Sequence, residues 1–166
     1  MPHGGMGTHQ SASMLSDEWL TPPEVLAALG PFDLDPCACS IPRPWPTAAR
    51  HYTREDNGLT KPWAGRVFCN PPYGGPSVVG PWMRRMADHA TGVALIFART
   101  ETELFHETVW QRASGVLFLK GRLFFHRPDG GRAAANAGAP SCLVAYGASD
   151  AERLRTCGLA GAWVPL

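Results

Sequence analysis

No apolar run in this chain approaches the ~20 residues that a membrane-spanning helix needs, so no transmembrane segment is expected. The N-terminus is polar and rich in Gly, Ser and His, without the apolar core of a secretory signal, and the expected location is cytoplasmic. Cysteines are few and odd in number: Cys37, Cys39, Cys69, Cys142 and Cys157. That argues against a disulfide framework. Cys37-Ala38-Cys39 lacks the two-residue spacing of a zinc knuckle and no His pair completes one, so no metal is expected. Charge of one sign is missing too: the formal net charge is +1, and bulk charge announces no polyanion partner. The distribution is less even. Residues 1–60 hold three Arg against seven acids, and residues 61–166 hold twelve Lys and Arg against seven acids. This mild basic bias is compatible with nucleic acid. There is no internal repeat, and no Gly-x-Gly turn follows Asp35. The 166 residues suit one domain with its own core.

Against these absences stands Val67-Phe68-Cys69-Asn70-Pro71-Pro72-Tyr73-Gly74-Gly75. A short apolar run ends in an amide, two prolines and an aromatic ring. Proline cannot continue a strand ladder and restricts φ, so the chain leaves the sheet in a stiff loop. The loop suits one task, which is gripping a planar exocyclic amine. The lone pair of such an amine is delocalised into its ring. Two acceptors, the Asn70 side-chain oxygen and the Pro71 carbonyl, can hold its two hydrogens and favour pyramidalisation. Pro72 stiffens the grip, and the Tyr73 ring would stack on the base plane. The alternative is a rigid loop in which Tyr73 packs and Asn70 caps a turn. The position of the loop at a strand end favours a ligand site.

Around it the chain reads as an α/β domain over residues 16–166, preceded by a disordered tail over residues 1–15. Thr21-Pro22-Pro23-Glu24 carries the signals of a helix start, with Thr21 as N-cap. Trp19 precedes it beside a possible cofactor pocket. Phe32-Asp33-Leu34-Asp35-Pro36 reads as a brief strand, and Asp35 at its tip either faces a ligand or initiates a turn. Asp56-Asn57-Gly58 is a turn, with Asp56 a second possible ligand for a cofactor. A helix is expected from Pro81. Its Arg84 and Arg85 read as an ordinary solvated face, with phosphate contacts as the alternative. Gly92 to Ala98 reads as a buried strand. Thr100 to Glu103 forms a second capping box, and Val116 to Leu119 is a strand with Leu123-Phe124-Phe125 as its hairpin partner. Residues 127–140 form a long loop with Arg127 and Arg132, composed to supply phosphate contacts. Ser141 to Tyr146 reads as the last strand, and a short helix starts at Ser149. The pattern predicts a three-layer sheet, mostly parallel with an antiparallel C-terminal edge and helices on both faces.

Asn-Pro-Pro-Tyr resembles motif IV of the amino-methyltransferases that use S-adenosylmethionine. Five stretches extend the resemblance across residues 17–147: Asp17-Glu18-Trp19-Leu20-Thr21-Pro22-Pro23, Phe32 to Ala38, Asp56-Asn57-Gly58-Leu59, Trp63 to Tyr73, and Lys120-Gly121-Arg122. Together they resemble the phage-type DNA N6-adenine methyltransferase family. The resemblance implies a compact Rossmann-like methyltransferase fold, S-adenosylmethionine as donor and adenine N6 in DNA as target. It further implies a phage or prophage origin, protection of DNA from restriction, and work inside a bacterial or phage-infected cell. By position, Asn70, Pro71, Pro72 and Tyr73 would hold the target base. Trp19, Thr21, Asp35, Pro36 and Asp56 would attend the cofactor. No separate target-recognition domain is visible, so DNA recognition falls to loops or to a dimer, and the chain is expected as monomer or homodimer. Two rivals stay open: an enzyme modifying RNA or a glutamine amide, and a catalytically inactive relative that binds nucleic acid.

Overall fold

The apolar runs of the sequence become strands of one sheet in the computed structural model, which describes residues 18–166. The tail expected over residues 1–15 lies outside the described residues, as does Asp17. The strands are β1 (Leu34–Asp35), β2 (Arg50–His51), β3 (Val67–Cys69), β4 (Gly92–Phe97), β5 (Gly115–Leu119), β6 (Ser141–Tyr146) and β7 (Gly161–Pro165), in the order β2-β1-β3-β4-β6-β5-β7. The helices are α1 (Pro23–Leu29), α2 (Pro76–His89), α3 (Glu103–Phe105) and α4 (Ala148–Thr156), with α3 running into a π-helical turn at His106–Trp110.

Side chains alternate across the sheet with the period of two that strands impose. Phe68, Val93, Leu95 and Leu143 meet Val25 and Leu29 of α1 and Leu154 of α4 on one face. Cys69, Ala94, Val144 and Tyr146 meet Met83 and Met86 of α2 and Phe105 and Val109 on the other. The expected helices on both faces are therefore present. The expected parallel majority is not. The pairings β1–β2, β1–β3 and β3–β4 are parallel, while β4–β6, β5–β6 and β5–β7 are antiparallel. The extra antiparallel pairing belongs to β7, which follows the strand read as the last one. Its residues are mostly exposed, with only Trp163 and Val164 half-buried, and its short Ala-Trp-Val run is closed by Pro165. It is seated by Trp163, whose indole lies where a Cβ on Gly115 would fall.

Other local expectations shift for traceable reasons. Pro22, not Thr21, is the N-cap of α1, and no side chain caps that helix. α2 starts at Pro76, and Pro81 sits inside it. Pro76 in the first turn forfeits nothing, because its N–H would have no intrahelical acceptor, whereas Pro81 in the second turn gives up one helical bond. α3 is capped by Thr102, whose Oγ1 accepts from the Phe105 N–H at 3.2 Å. Leu123-Phe124-Phe125 forms no strand, since both neighbours of β5 are β6 and β7.

This topology positions a site. β2 lies on one side of β1 and β3 on the other, so the chain reverses direction across the sheet between them. Open α/β sheets hold ligands at the strand carboxyl ends beside such a reversal. Here those ends are Asp35 and Cys69, with Asn70 next.

Candidate functional site

Asn70 leaves β3 at the point where Pro71 and Pro72 forbid further pairing. Its neighbours hold it from both ends. Its Nδ2 donates to the Thr21 hydroxyl at 3.2 Å. Its carbonyl accepts from the Cys37 Sγ–H at 3.2 Å. Its Oδ1 is buried and has no hydrogen-bond partner. A buried acceptor left open is costly unless a ligand meets it.

Asn70 is one of the residues lining a cavity of about 330 Å³, with Glu18, Trp19, residues 37–39, Thr53, Arg54, Asn57, Gly58, residues 71–73, Val78 and Trp82. The volume falls in the range of small-molecule sites. Trp19 supplies a second orphan, since its Nε1–H is buried without an acceptor. Two of the lining residues therefore carry a buried unpartnered donor and a buried unpartnered acceptor. Glu18 adds a carboxylate, which also accepts from Ser40 Oγ at 2.9 Å. A second cavity of about 480 Å³ lies against the same Pro71, Pro72 and Tyr73 and continues past Val79, Met83, Phe97, Arg99 and Phe105. The stiff loop thus lines both spaces. Tyr73 packs its ring 4.9 Å from Phe97 and 5.6 Å, edge-on, from Phe125. Burial drives its hydroxyl pKa far upward, so Tyr73 is a neutral wall.

Of the residues the resemblance assigned to the cofactor, only Trp19 lines the first cavity. Thr21 is buried behind Asn70. Asp35 is buried as well and turns both oxygens inward. One accepts from the Cys37 N–H at 3.1 Å and the other from the Thr47 hydroxyl. Burial raises its pKa from 3.8 to about 6. Asp35 thus takes the turn-forming role, and with Pro36 it shapes the backbone at residues 37–39 that faces the cavity. Asp56 is exposed and accepts from the Thr53 N–H at 2.8 Å and its hydroxyl at 3.2 Å, closing a turn. The residues after it do reach the cavity. Asn57 takes a left-handed φ of 53°, and Gly58 passes so close to Pro36 that a Cβ would overlap its carbonyl. The Asp-Asn-Gly turn was the signal for this wall; Trp82, on α2, had none beyond helical spacing.

The four arginines considered for DNA separate into different roles. Arg84 makes a two-pronged ion pair with Glu107 at 2.8 and 3.0 Å. Arg85 donates to the Leu59 and Lys61 carbonyls and lies 4.8 Å over the Trp63 ring. It is a brace for the 58–63 segment rather than a solvated side chain. Arg127 is exposed with Asp129 at 3.7 Å, and Arg132 lies 4.1 Å over the Phe124 ring. None of the four lines either cavity. Residues 127–140 are tied down at several points. Arg127 N–H donates to Gly131 O at 2.8 Å, Ala133 N–H to Phe125 O at 2.8 Å and Ala137 N–H to Leu123 O at 2.7 Å. Arg99, at the second cavity and exposed, is a cation the sequence reading passed over.

Among the described residues no cluster of side chains is arranged to hold a metal ion. No helix there is long and apolar enough to cross a membrane. In comparison with known proteins, the family model described as DNA N-6-adenine-methyltransferase (Dam) matches residues 8–155. No curated protein and no solved structure matches the chain.

Proposed function

This chain belongs to the DNA N-6-adenine-methyltransferase (Dam) family, and from that premise we propose that it transfers a methyl group from S-adenosylmethionine to adenine N6 in DNA. The observation that carries the reading is the buried, unpartnered Asn70 Oδ1 at the mouth of a stiff Pro-Pro-Tyr loop that borders two cavities. The residues of the first cavity fit the cofactor. Its orphan Trp19 N–H suits a carboxylate or ring nitrogen, its aromatic walls suit a cationic sulfonium, and its volume suits a ligand of that size. When bound, S-adenosylmethionine supplies a methyl group on a good leaving group, so no side chain with a tuned pKa is required. The base then enters along the second cavity, with Tyr73 as its wall, and its amine reaches Asn70 where the Pro71-Pro72-Tyr73 loop borders both cavities. Asn70 Oδ1 and the Pro71 carbonyl take the two hydrogens of the amine and favour the pyramidal nitrogen. Preorganised acceptors of this kind lower a barrier because they need no reorganisation at the moment of reaction. Adenine N6 takes part in pairing, so the base must leave the duplex stack to reach this loop.

The reversal of strand order beside β1 supports reading the sheet as Rossmann-like. We take the biological use to be masking of phage or prophage DNA from restriction inside a bacterial cell, by a monomer or homodimer. The deciding experiment incubates the protein with methyl-labelled cofactor and a mixture of DNA and RNA, followed by nucleoside mass spectrometry. N6-methyldeoxyadenosine is expected. Label in RNA nucleosides alone, or none at all, would overturn the proposal.

A further inference from the structure

An amide side chain has an acceptor end and a donor end, and its terminal torsion has no strong intrinsic preference between them. Only a partner decides which end faces a ligand. At Asn70 the difference is decisive, because an amine offers hydrogens and can be gripped only by Oδ1. The partner present is Thr21. A hydroxyl can donate or accept; here it accepts from Nδ2 at 3.2 Å, which leaves Oδ1 buried and without a partner.

Thr21 is itself held. It is 1% exposed. The Trp45 indole N–H donates to its carbonyl at 3.0 Å. The preceding Leu20 exchanges both backbone hydrogen bonds with His126, at 2.7 and 3.0 Å, and the following Pro22 has its φ locked by its ring. The hydroxyl therefore stands on backbone pinned on both sides, while Cys37 pins the Asn70 carbonyl from β1's tip.

We infer that Thr21 is a positioning residue, which sets the Asn70 amide with its oxygen toward the cavity and so makes the site able to accept an amine. The inference rests on the proposed methyl transfer for its purpose but not for its geometry. It replaces the cofactor contact that the resemblance assigned to Thr21.

The test compares Thr21→Val, of the same shape without a hydroxyl, with Thr21→Ser, which retains one; Thr21→Ala stands in if the valine variant does not fold. Two measurements are made on the full chain. The first is the side-chain amide signal of Asn70 in nitrogen-15 NMR without cofactor, identified by its loss in Asn70→Ala. A shifted signal slow to exchange with water is expected in the wild type and Thr21→Ser, and a displaced, faster-exchanging one in Thr21→Val. The second is steady-state methyl transfer. Thr21→Val should lose about 10- to 100-fold in kcat, the scale of a misplaced reacting group, with cofactor affinity and KM for DNA within about twofold. Thr21→Ser should restore most of the rate. Adding Thr21→Val to Asn70→Ala should cost nothing further, because both changes remove one function.

An Asn70 amide signal that exchanges fast in the wild type, or does not move in Thr21→Val, overturns the inference. So does an equal loss in Thr21→Ser, or a weakened cofactor with an unchanged kcat. A wild-type protein that transfers no methyl group would sink the proposed function instead, and the amide signal would still decide the role of Thr21.

Discussion

At Asn70 one side chain brings together three constraints: the end of a strand, a proline on its C-terminal side, and a hydroxyl partner that leaves its oxygen open. Replacing it with alanine should reduce methyl transfer by about 10²–10³, the usual effect of losing one oriented group that acts on developing charge. Thermal unfolding and calorimetry with S-adenosylmethionine should stay near wild type, and turnover near wild type in Asn70→Ala would remove the residue from the mechanism. Tyr73 has a double duty that the sequence does not show. Its ring is packed against Phe97 and Phe125 while lining both cavities. Tyr73→Phe should keep both stability and rate. Tyr73→Ala should lose about 1–3 kcal/mol of stability, less than a fully buried aromatic would because Tyr73 is half-buried, together with most of the activity. An alanine variant as stable as wild type would contradict the packing role, and a phenylalanine variant as inactive as alanine would make the hydroxyl the working part.

The element that shapes the cavity is the turn leaving β1, and two titratable groups serve it, the buried Asp35 and the half-buried His51. Asp35 holds Cys37 and Thr47. His51, beside it on β2, accepts through Nε2 from the Thr47 and Ala48 N–H groups at 3.2 and 3.3 Å. Burial moves them in opposite directions: Asp35 rises to about 6, whereas His51, helped by Arg43, falls to about 4 from 6.5. Between pH 3.8 and 6 folded Asp35 holds a proton that the unfolded chain has released, so its contribution to stability falls as pH rises. Between pH 4 and 6.5 folded His51 has released a proton that the unfolded chain holds, so its contribution rises with pH. The two slopes oppose each other. In Asp35→Asn only the rising one remains, so the stability of that variant relative to wild type should increase from pH 4 to 6, by at most about 1.4 kcal/mol per pH unit. Urea unfolding across that range measures it, and a difference that is flat with pH would mean that Asp35 titrates normally.

For the whole molecule, the proposed function requires DNA to be met by surfaces outside the two cavities, and the cations considered for that are unequal. Arg85 is occupied by carbonyls and by Trp63. Arg127 and Arg132 are exposed on the 127–140 segment. That segment is already hydrogen-bonded, so engagement need not include ordering it. If Arg127 and Arg132 each neutralise one phosphate, Arg127→Ala/Arg132→Ala should reduce the slope of log affinity against log salt by about two, with cofactor affinity unchanged. An unaltered slope would rule the segment out as a phosphate contact. Arg85→Ala should lower the melting temperature instead, because it leaves two carbonyls without their donor.

Much of this protein is local in origin and was therefore legible in the chain. Asn70-Pro71-Pro72-Tyr73 ends a strand because proline has no N–H to donate, whatever surrounds it. β4, β5 and β6 announce themselves by continuous apolar residues, since a strand buried on both faces has no polar position to show. Asp-Asn-Gly at 56–58 is a turn by its backbone chemistry alone. What depended on distant residues was not legible. β7 has few buried side chains and exists because β5 offers an edge with room over Gly115. Pro81 reads as a start but lies within a helix that Pro76 had already begun. Thr21 reads as a cap, and became the partner of Asn70 once the sheet brought residues 49 positions apart within 3.2 Å. Asp35 sits at the strand tip as its sequence position required, but the direction of its carboxylate was settled by Thr47, which only the folded loop places beside it. Sequence by itself determined the stiff loop and the strand that carries it. Tertiary structure decided which atoms around that loop were left without partners, because satisfying a hydrogen bond is a property of the neighbours and not of the residue.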